Sequence, residues 1–143
     1  MAVRDDGMHQ IGEAAGRVGL SLRTVRYYEE VGLVVPSGRT EGGFRLYTED
    51  DIDRLALIKQ LKPLEFGLDE LRQLLQLRDQ LIDEDDPAAR GDLLDRLDAY
   101  ADTAAERCAQ LREQLAQVEA VTATLRREVR VGRRRDRTNA HHG

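Results

Sequence analysis

Ile11, Ala14, Ala15 and Val18 share one face of a helical repeat, and the run stops at Gly19-Leu20. Ser21 then offers a capping oxygen for a second helix, in which Val25, Tyr28 and Val31 return at the same spacing before Gly32 ends it. The pattern predicts helix, tight turn, helix, with the two apolar faces closing on one another. Beyond Pro36, Ser37 to Tyr47 is two short extendable segments about Gly42-Gly43, which predicts a hairpin or wing. Thr48 and Asp51 read as a capping box opening a third helix, with Ile52, Leu55, Ala56, Ile58 and Leu61 turned inward. Lys62 to Gly67 breaks the periodicity, and a fourth helix follows from about Leu68, with Leu71, Leu74, Leu75 and Leu77 apolar.

The second half of the chain has a different rhythm. Leu97, Tyr100, Ala104, Cys108, Leu111, Leu115, Val118, Thr122, Leu125 and Val129 follow at steps of three and four, a coiled-coil seam with an eleven-residue period from Leu97 to Cys108. A helix of about 40 residues spans about 60 Å and is not stable without a partner, so the seam predicts a homodimer. The acidic run Asp83-Glu84-Asp85-Asp86, with Pro87 and Gly91 behind it, reads as a solvated linker lacking the staggered oxygens of a calcium loop. The arginine-rich end, with Arg133, Arg134, Arg135 and Arg137, reads as a disordered basic tail, contact with DNA flanks or polymerase being the minority alternative.

Composition agrees with a small head on a long exposed helix. Aromatic residues make up only 4% of the chain and charged residues 34%. No apolar run is long enough for a membrane span and no signal peptide opens the chain, so a cytoplasmic protein without a membrane partner is expected. The net charge of -5 opposes general coating of nucleic acid, but its distribution matters more. Acids gather at 49–53 and 83–86, whereas Arg23, Arg26, Arg39 and Arg45 lie in the helix-turn-helix and hairpin.

Thr24-Val25-Arg26-Tyr27-Tyr28-Glu29 sets arginine, hydroxyl and aromatic side chains within two turns of the second helix. Arginine forks onto guanine or phosphate, and hydroxyls bond backbone oxygens, so the segment reads as a recognition helix in a DNA groove. For Arg26 the competing reading is an ion pair with Glu29 or Glu30, and for Tyr28 and Tyr47 it is a place in the core.

Taken in order, the helix-turn-helix ending in Arg-Tyr-Tyr-Glu, then Gly43-Phe44-Arg45-Leu46-Tyr47, then Thr48-Glu49-Asp50-Asp51, resembles the MerR family of bacterial transcription regulators, from Met8 to about Arg78. The resemblance implies a mainly α fold, a winged helix-turn-helix DNA-binding domain followed by a long dimerisation coiled-coil helix paired antiparallel. It further implies a pseudo-palindromic site in double-stranded promoter DNA. Control would come from distortion of the promoter spacer, so that RNA polymerase engages both promoter elements. On matching positions, Ser21, Arg23, Thr24, Arg26, Tyr27 and Tyr28 belong to the DNA-binding set, with Arg39, Gly43, Phe44, Arg45 and Tyr47 in the wing. The corner at 62–67 departs from the family, with Pro63 and Glu65 where a small residue and a glycine are usual.

The expected organisation is an N-terminal extension over 1–7, the head over 8–78, an acidic linker over 79–92, the dimerisation helix over 93–130 and the basic tail over 131–143. Leu97, Tyr100, Ala104, Cys108, Leu111, Leu115, Val118 and Leu125 would carry dimerisation. Cys108 is the only cysteine and sits in the apolar seam, so no metal site and no cofactor are expected. Nor is a separate effector domain. No nucleophile-base pair or phosphate loop suggests an enzyme. An architectural DNA protein and a coiled-coil interaction module stay open as alternatives, as do the inducing signal, the direction of regulation and a redox or metal response at Cys108.

Overall fold

The computed structural model describes residues 7–142, so the expected extension, apart from Gly7, and Gly143 lie outside the described residues. The chain divides into two units, one ending at Tyr100 and one beginning at Ala101.

In the first unit, a two-residue strand β1 (His9–Gln10) leads directly into α1 (Ile11–Val18). Gly19, at φ 71°, ends that helix, with the Leu20 N–H donating to Ala15 O at 3.0 Å. Ser21 caps α2 (Leu22–Glu30), its Oγ accepting from the Thr24 N–H at 3.1 Å. At the other end, Gly32 at φ 76° allows the Leu33 N–H to reach Tyr28 O at 2.9 Å, the Gly32 N–H reaching Glu29 O at 3.0 Å. Leu33 and Val34 then drop into the core, which periodicity did not foresee because they belong to a loop.

The wing is β2 (Gly38–Arg39) and β3 (Arg45–Tyr47), antiparallel with Arg39 opposite Arg45. β1 adds to the far side of β3, with His9 opposite Tyr47, so the sheet has order β1-β3-β2. β1 was not expected; two residues are too short to show a period. Thr48 and Asp51 form the expected capping box at the start of α3 (Glu49–Leu61), and Ser37 adds its hydroxyl to Asp51 at 2.6 Å.

One core joins these elements: Ala14 and Ala15 of α1, Val25 and Tyr28 of α2, Leu33 and Val34, Tyr47 of β3, Ile52, Leu55 and Ile58 of α3, and Leu75 of α4 (Leu68–Asp83). Of the expected α3 set, Ala56 and Leu61 are only half-buried. Between α3 and α4, a 3₁₀ turn over Lys62–Leu64 ends at Glu65 in the left-handed region, φ 57°. This is the position at which the resemblance leads to an expected glycine.

The expected linker contracts to Glu84, Asp85 and Asp86, because α4 runs on to Asp83 and α5 (Pro87–His142) starts at once. Asp86 is the cap of α5, its carboxylate accepting from the Ala89 N–H at 3.0 Å, and Pro87 occupies the first helical position, where a missing N–H is harmless. Arg90 reaches back to Leu81 O at 2.7 Å and closes the end of α4. Tyr100 bonds Gln73 Oε1 at 2.7 Å and lies 6.3 Å from the Phe66 ring, so this expected seam residue packs within its own chain.

The second unit is the remainder of α5. The helix continues to His142, where a disordered tail from 131 was expected. Arginine is a good helix former, and residues 131–142 contain no proline. Leu111, Leu115, Val118, Val121, Leu125 and Val129 are all exposed in the single chain.

Candidate nucleic-acid interface

α2 presents its two faces differently because Val25 and Tyr28, three residues apart, are taken by the core. Arg23, Arg26 and Tyr27 are left exposed and Thr24 half-exposed. Thr24 Oγ1 lies 2.9 Å from Ser21 Oγ, so the two hydroxyls at the helix start are already oriented. Arg23 and Arg26 have no hydrogen-bond or ion-pair partner among the described residues, and the alternative pairing of Arg26 with Glu29 is not formed.

Glu29 is instead occupied by the wing. Its Oε1 accepts from Arg39 Nη2 at 3.1 Å and its Oε2 from Arg45 Nε. Arg39 also donates to Gly43 O at 3.0 Å, across a tip closed by Gly43 N–H to Thr40 O at 2.9 Å and Thr40 N–H to Phe44 O at 2.9 Å. Gly43 holds φ 83° there, and Phe44 is 65% exposed at the tip. α2 and the wing are thus bonded to one another, and Ser21, Arg23, Thr24, Arg26, Tyr27, Arg39, Phe44 and Arg45 lie on them.

Tyr47 is not part of that surface. Its ring is fully buried and its hydroxyl has no partner among the described residues, so the expected wing contact is corrected to a core role. Burial raises the Tyr47 pKa, with the Glu29 charge adding to it. Tyr28 is 8% exposed and likewise raised by burial, so of the tyrosine pair Tyr27 faces out and Tyr28 packs.

Sequence reasoning missed the cations that lock the site from behind. Lys59 of α3 donates to Val18 O at 2.8 Å and closes the end of α1, its Nζ filling the space a side chain at Gly19 would need. Arg72 of α4 donates to Val31 O at 2.6 Å, at the end of α2, and Arg54 of α3 to Leu33 O at 2.8 Å, in the loop just beyond it. Arg54 also bonds Asp79 at 2.7 Å. A further cluster joins β1, α1 and α3. Arg17 grips Glu49 with two bonds of 2.7 and 2.8 Å, while His9 faces Glu13 at 3.0 Å and Glu49 at 2.8 Å. The Arg17 and His9 bonds hold the Glu49 carboxyl down to about 2, and the two carboxylates raise His9. A basic residue whose partner is 20 or more positions away leaves no local signature.

Among the described residues, no group of three or more His, Cys, Asp or Glu is placed to hold a metal ion, and no helix is long and apolar enough to cross a membrane.

Comparison with known proteins gives concordant results. A family model described as MerR HTH family regulatory protein matches residues 10–78. The HTH-type transcriptional regulator ZntR of Escherichia coli (strain K12) is 45% identical over 71 residues, covering 50% of each chain. Heavy metal-dependent transcription regulator 2 of Rhizobium meliloti (strain 1021) is 32% identical over 117 residues, 81% of this chain and 71% of that protein. The crystal structure of HiNmlR, a MerR family regulator lacking the sensor domain, bound to promoter DNA, superposes with TM-score 0.59 at 26% identity, covering 81% of this chain and 88% of that one. The chain spans about half the length of the first curated relatives it matches. Those relatives are transcription regulators rather than enzymes.

Proposed function

Since this chain belongs to the MerR family of transcription regulators, we propose that it binds promoter DNA as a homodimer and regulates transcription from it. α2 enters the major groove, Arg23 and Arg26 read bases or clamp phosphate, and Tyr27 meets the sugar-phosphate edge. Arg39, Phe44 and Arg45 bring the wing onto flanking backbone. The observation that carries this reading is the pair of exposed arginines, without a partner among the described residues, on a helix whose other face and both ends are fixed. A bound promoter in the similar HiNmlR structure supports it.

Dimerisation is supported by the exposed stripe from Leu111 to Val129, with Ala104 and Cys108 half-buried ahead of it. The charge gradient of α5 favours antiparallel pairing. Asp92, Asp95, Asp98, Asp102 and Glu106 mark its early part, and Arg126, Arg127, Arg130, Arg133, Arg134, Arg135 and Arg137 its end. Parallel helices would set like charges side by side, whereas antiparallel ones set acid against base. Two heads related by a dyad require an inverted repeat. Distortion of the promoter spacer, through which RNA polymerase is brought into register, follows as the mode of control.

Selection of the purified protein against random duplex DNA at near-physiological salt tests the reading. Enrichment of a dyad-symmetric site, protected from cleavage in two successive major grooves, is expected. A monomeric protein that enriches no sequence would refute it.

A further inference from the structure

We propose that Glu29 is a positioning residue that sets the discrimination between specific and nonspecific DNA, by tying both wing arginines to the recognition helix. The inference rests on the DNA-binding reading above. It assigns a role to an acid that lies inside the reading head, where a negative charge would ordinarily oppose binding.

The carboxylate sits one turn beyond Arg26 and its side chain is only 17% exposed. It takes the Nη2 of Arg39 on one oxygen and the Nε of Arg45 on the other. Those two arginines are directly opposed in the β2-β3 register, and Arg39 is bonded in turn to Gly43 O at the tip. One carboxylate therefore links α2, both wing strands and the turn between them. Because Arg45 uses its Nε on Glu29, both of its Nη groups stay without a partner among the described residues, the end of the guanidinium that grips phosphate in a fork.

Besides any part these pairs play in folding, their consequence for DNA lies in charge and orientation. A duplex that offers only its phosphates encounters two guanidiniums already partly neutralised, and its attraction is weakened. A duplex seated on α2 encounters the same arginines fixed in place, with their rotamer entropy already lost on folding. Glu29 thus lowers nonspecific affinity more than specific affinity.

The test uses the full chain, an inverted repeat obtained by selection, and a scrambled duplex of equal length, titrated across a range of KCl concentrations with thermal unfolding alongside. Glu29→Gln keeps the shape and removes the charge. It should bind the scrambled duplex about fivefold more tightly at low salt, the effect of one unit charge at contact in a water-like dielectric. Its slope of log K against log salt should steepen by up to about 0.9. The ratio of specific to scrambled affinity should fall. Glu29→Asp keeps the charge but is too short to span both arginines, so it should keep the wild-type slope while losing part of that ratio. A folded Glu29→Gln with unchanged slope and unchanged scrambled affinity overturns the proposal. If Glu29→Gln does not fold, Glu29→Asp decides, and an unchanged ratio overturns it. A wild type that prefers no sequence removes the DNA-binding reading as well; a wild type that selects its repeat beside an indistinguishable variant removes only the role of Glu29.

Discussion

Replacing Glu65 by glycine should stabilise the protein, although it deletes a side chain. Glu65 ends the 3₁₀ turn at φ 57°, and its N–H donates to Lys62 O at 3.0 Å, so the backbone there is committed to the left-handed region. A Cβ in that region crowds the following carbonyl at a cost of about 1–2 kcal/mol. Glycine removes the clash but gives back about 0.4–1 kcal/mol through the greater freedom of the unfolded chain. The difference is a net gain of about 1 kcal/mol. The side chain is exposed and has no bonded partner among the described residues, so nothing offsets that gain. Urea unfolding at fixed protein concentration should show a higher midpoint with an unchanged slope. A gain of this size raises Tm by about 2–8 °C. Glu65→Ala is the control, since it removes the carboxylate and keeps the strain. An equal gain in both variants would place the effect in the charge, and no gain in the glycine variant would refute the strain argument.

Four further outcomes are expected. His9, raised by Glu13 and Glu49, contributes stability that is complete below its ordinary value of 6.5 and is lost as pH rises through its higher folded value; NMR titration at or below 6.5 would contradict this, and His9→Gln should flatten that part of the stability curve. Leu115→Asp, placing a carboxylate in the exposed stripe, should weaken self-association at least about 100-fold, or about 2.7 kcal/mol, in sedimentation equilibrium. Arg26→Ala should weaken binding to the selected site by about 1–3 kcal/mol if it reads a base, whereas Arg45→Ala should lower affinity for all duplexes and flatten the salt dependence; unchanged affinity and slope for either removes its role. Tyr47→Phe removes a buried hydroxyl without a bonded partner, so DNA affinity should be unchanged and stability equal or higher by about 1 kcal/mol; lost affinity at equal stability would return that hydroxyl to the interface.

What the sequence made legible was whatever repeats locally. The helix faces, the Ser21 and Thr48 caps and the glycine-ended turns follow from spacing and side-chain chemistry, and the structure has them. The wing hairpin was readable from its glycines, but β1 on its far edge was not. Asp86 shows a different failure: an acidic run reads as solvated until its last member is seen to cap a helix that proline begins. Tyr47 alternates correctly for a strand, yet periodicity alone does not say which face a two-sided aromatic belongs to. Hardest to foresee were the long-range pairings of Glu29, Lys59, Arg54 and Arg72, because a side chain that bonds a distant carbonyl is indistinguishable in sequence from one that faces water.

Those pairings bear on how the reading head can be moved between proteins. The carbonyls that α1 and α2 leave open at their ends are filled by side chains from α3 and α4, and Arg54 is itself held by Asp79. A graft cut after the wing would carry the residues proposed to face DNA and leave behind the groups that terminate their helices. Because Arg90 closes the end of α4 and Tyr100 bonds Gln73, the smallest transplantable piece extends through α4 and into α5 as far as Tyr100, where the first unit ends. Swapping regulators by exchanging only the helix-turn-helix segment should yield an open, fraying head, while a junction beyond Tyr100 should carry its geometry intact.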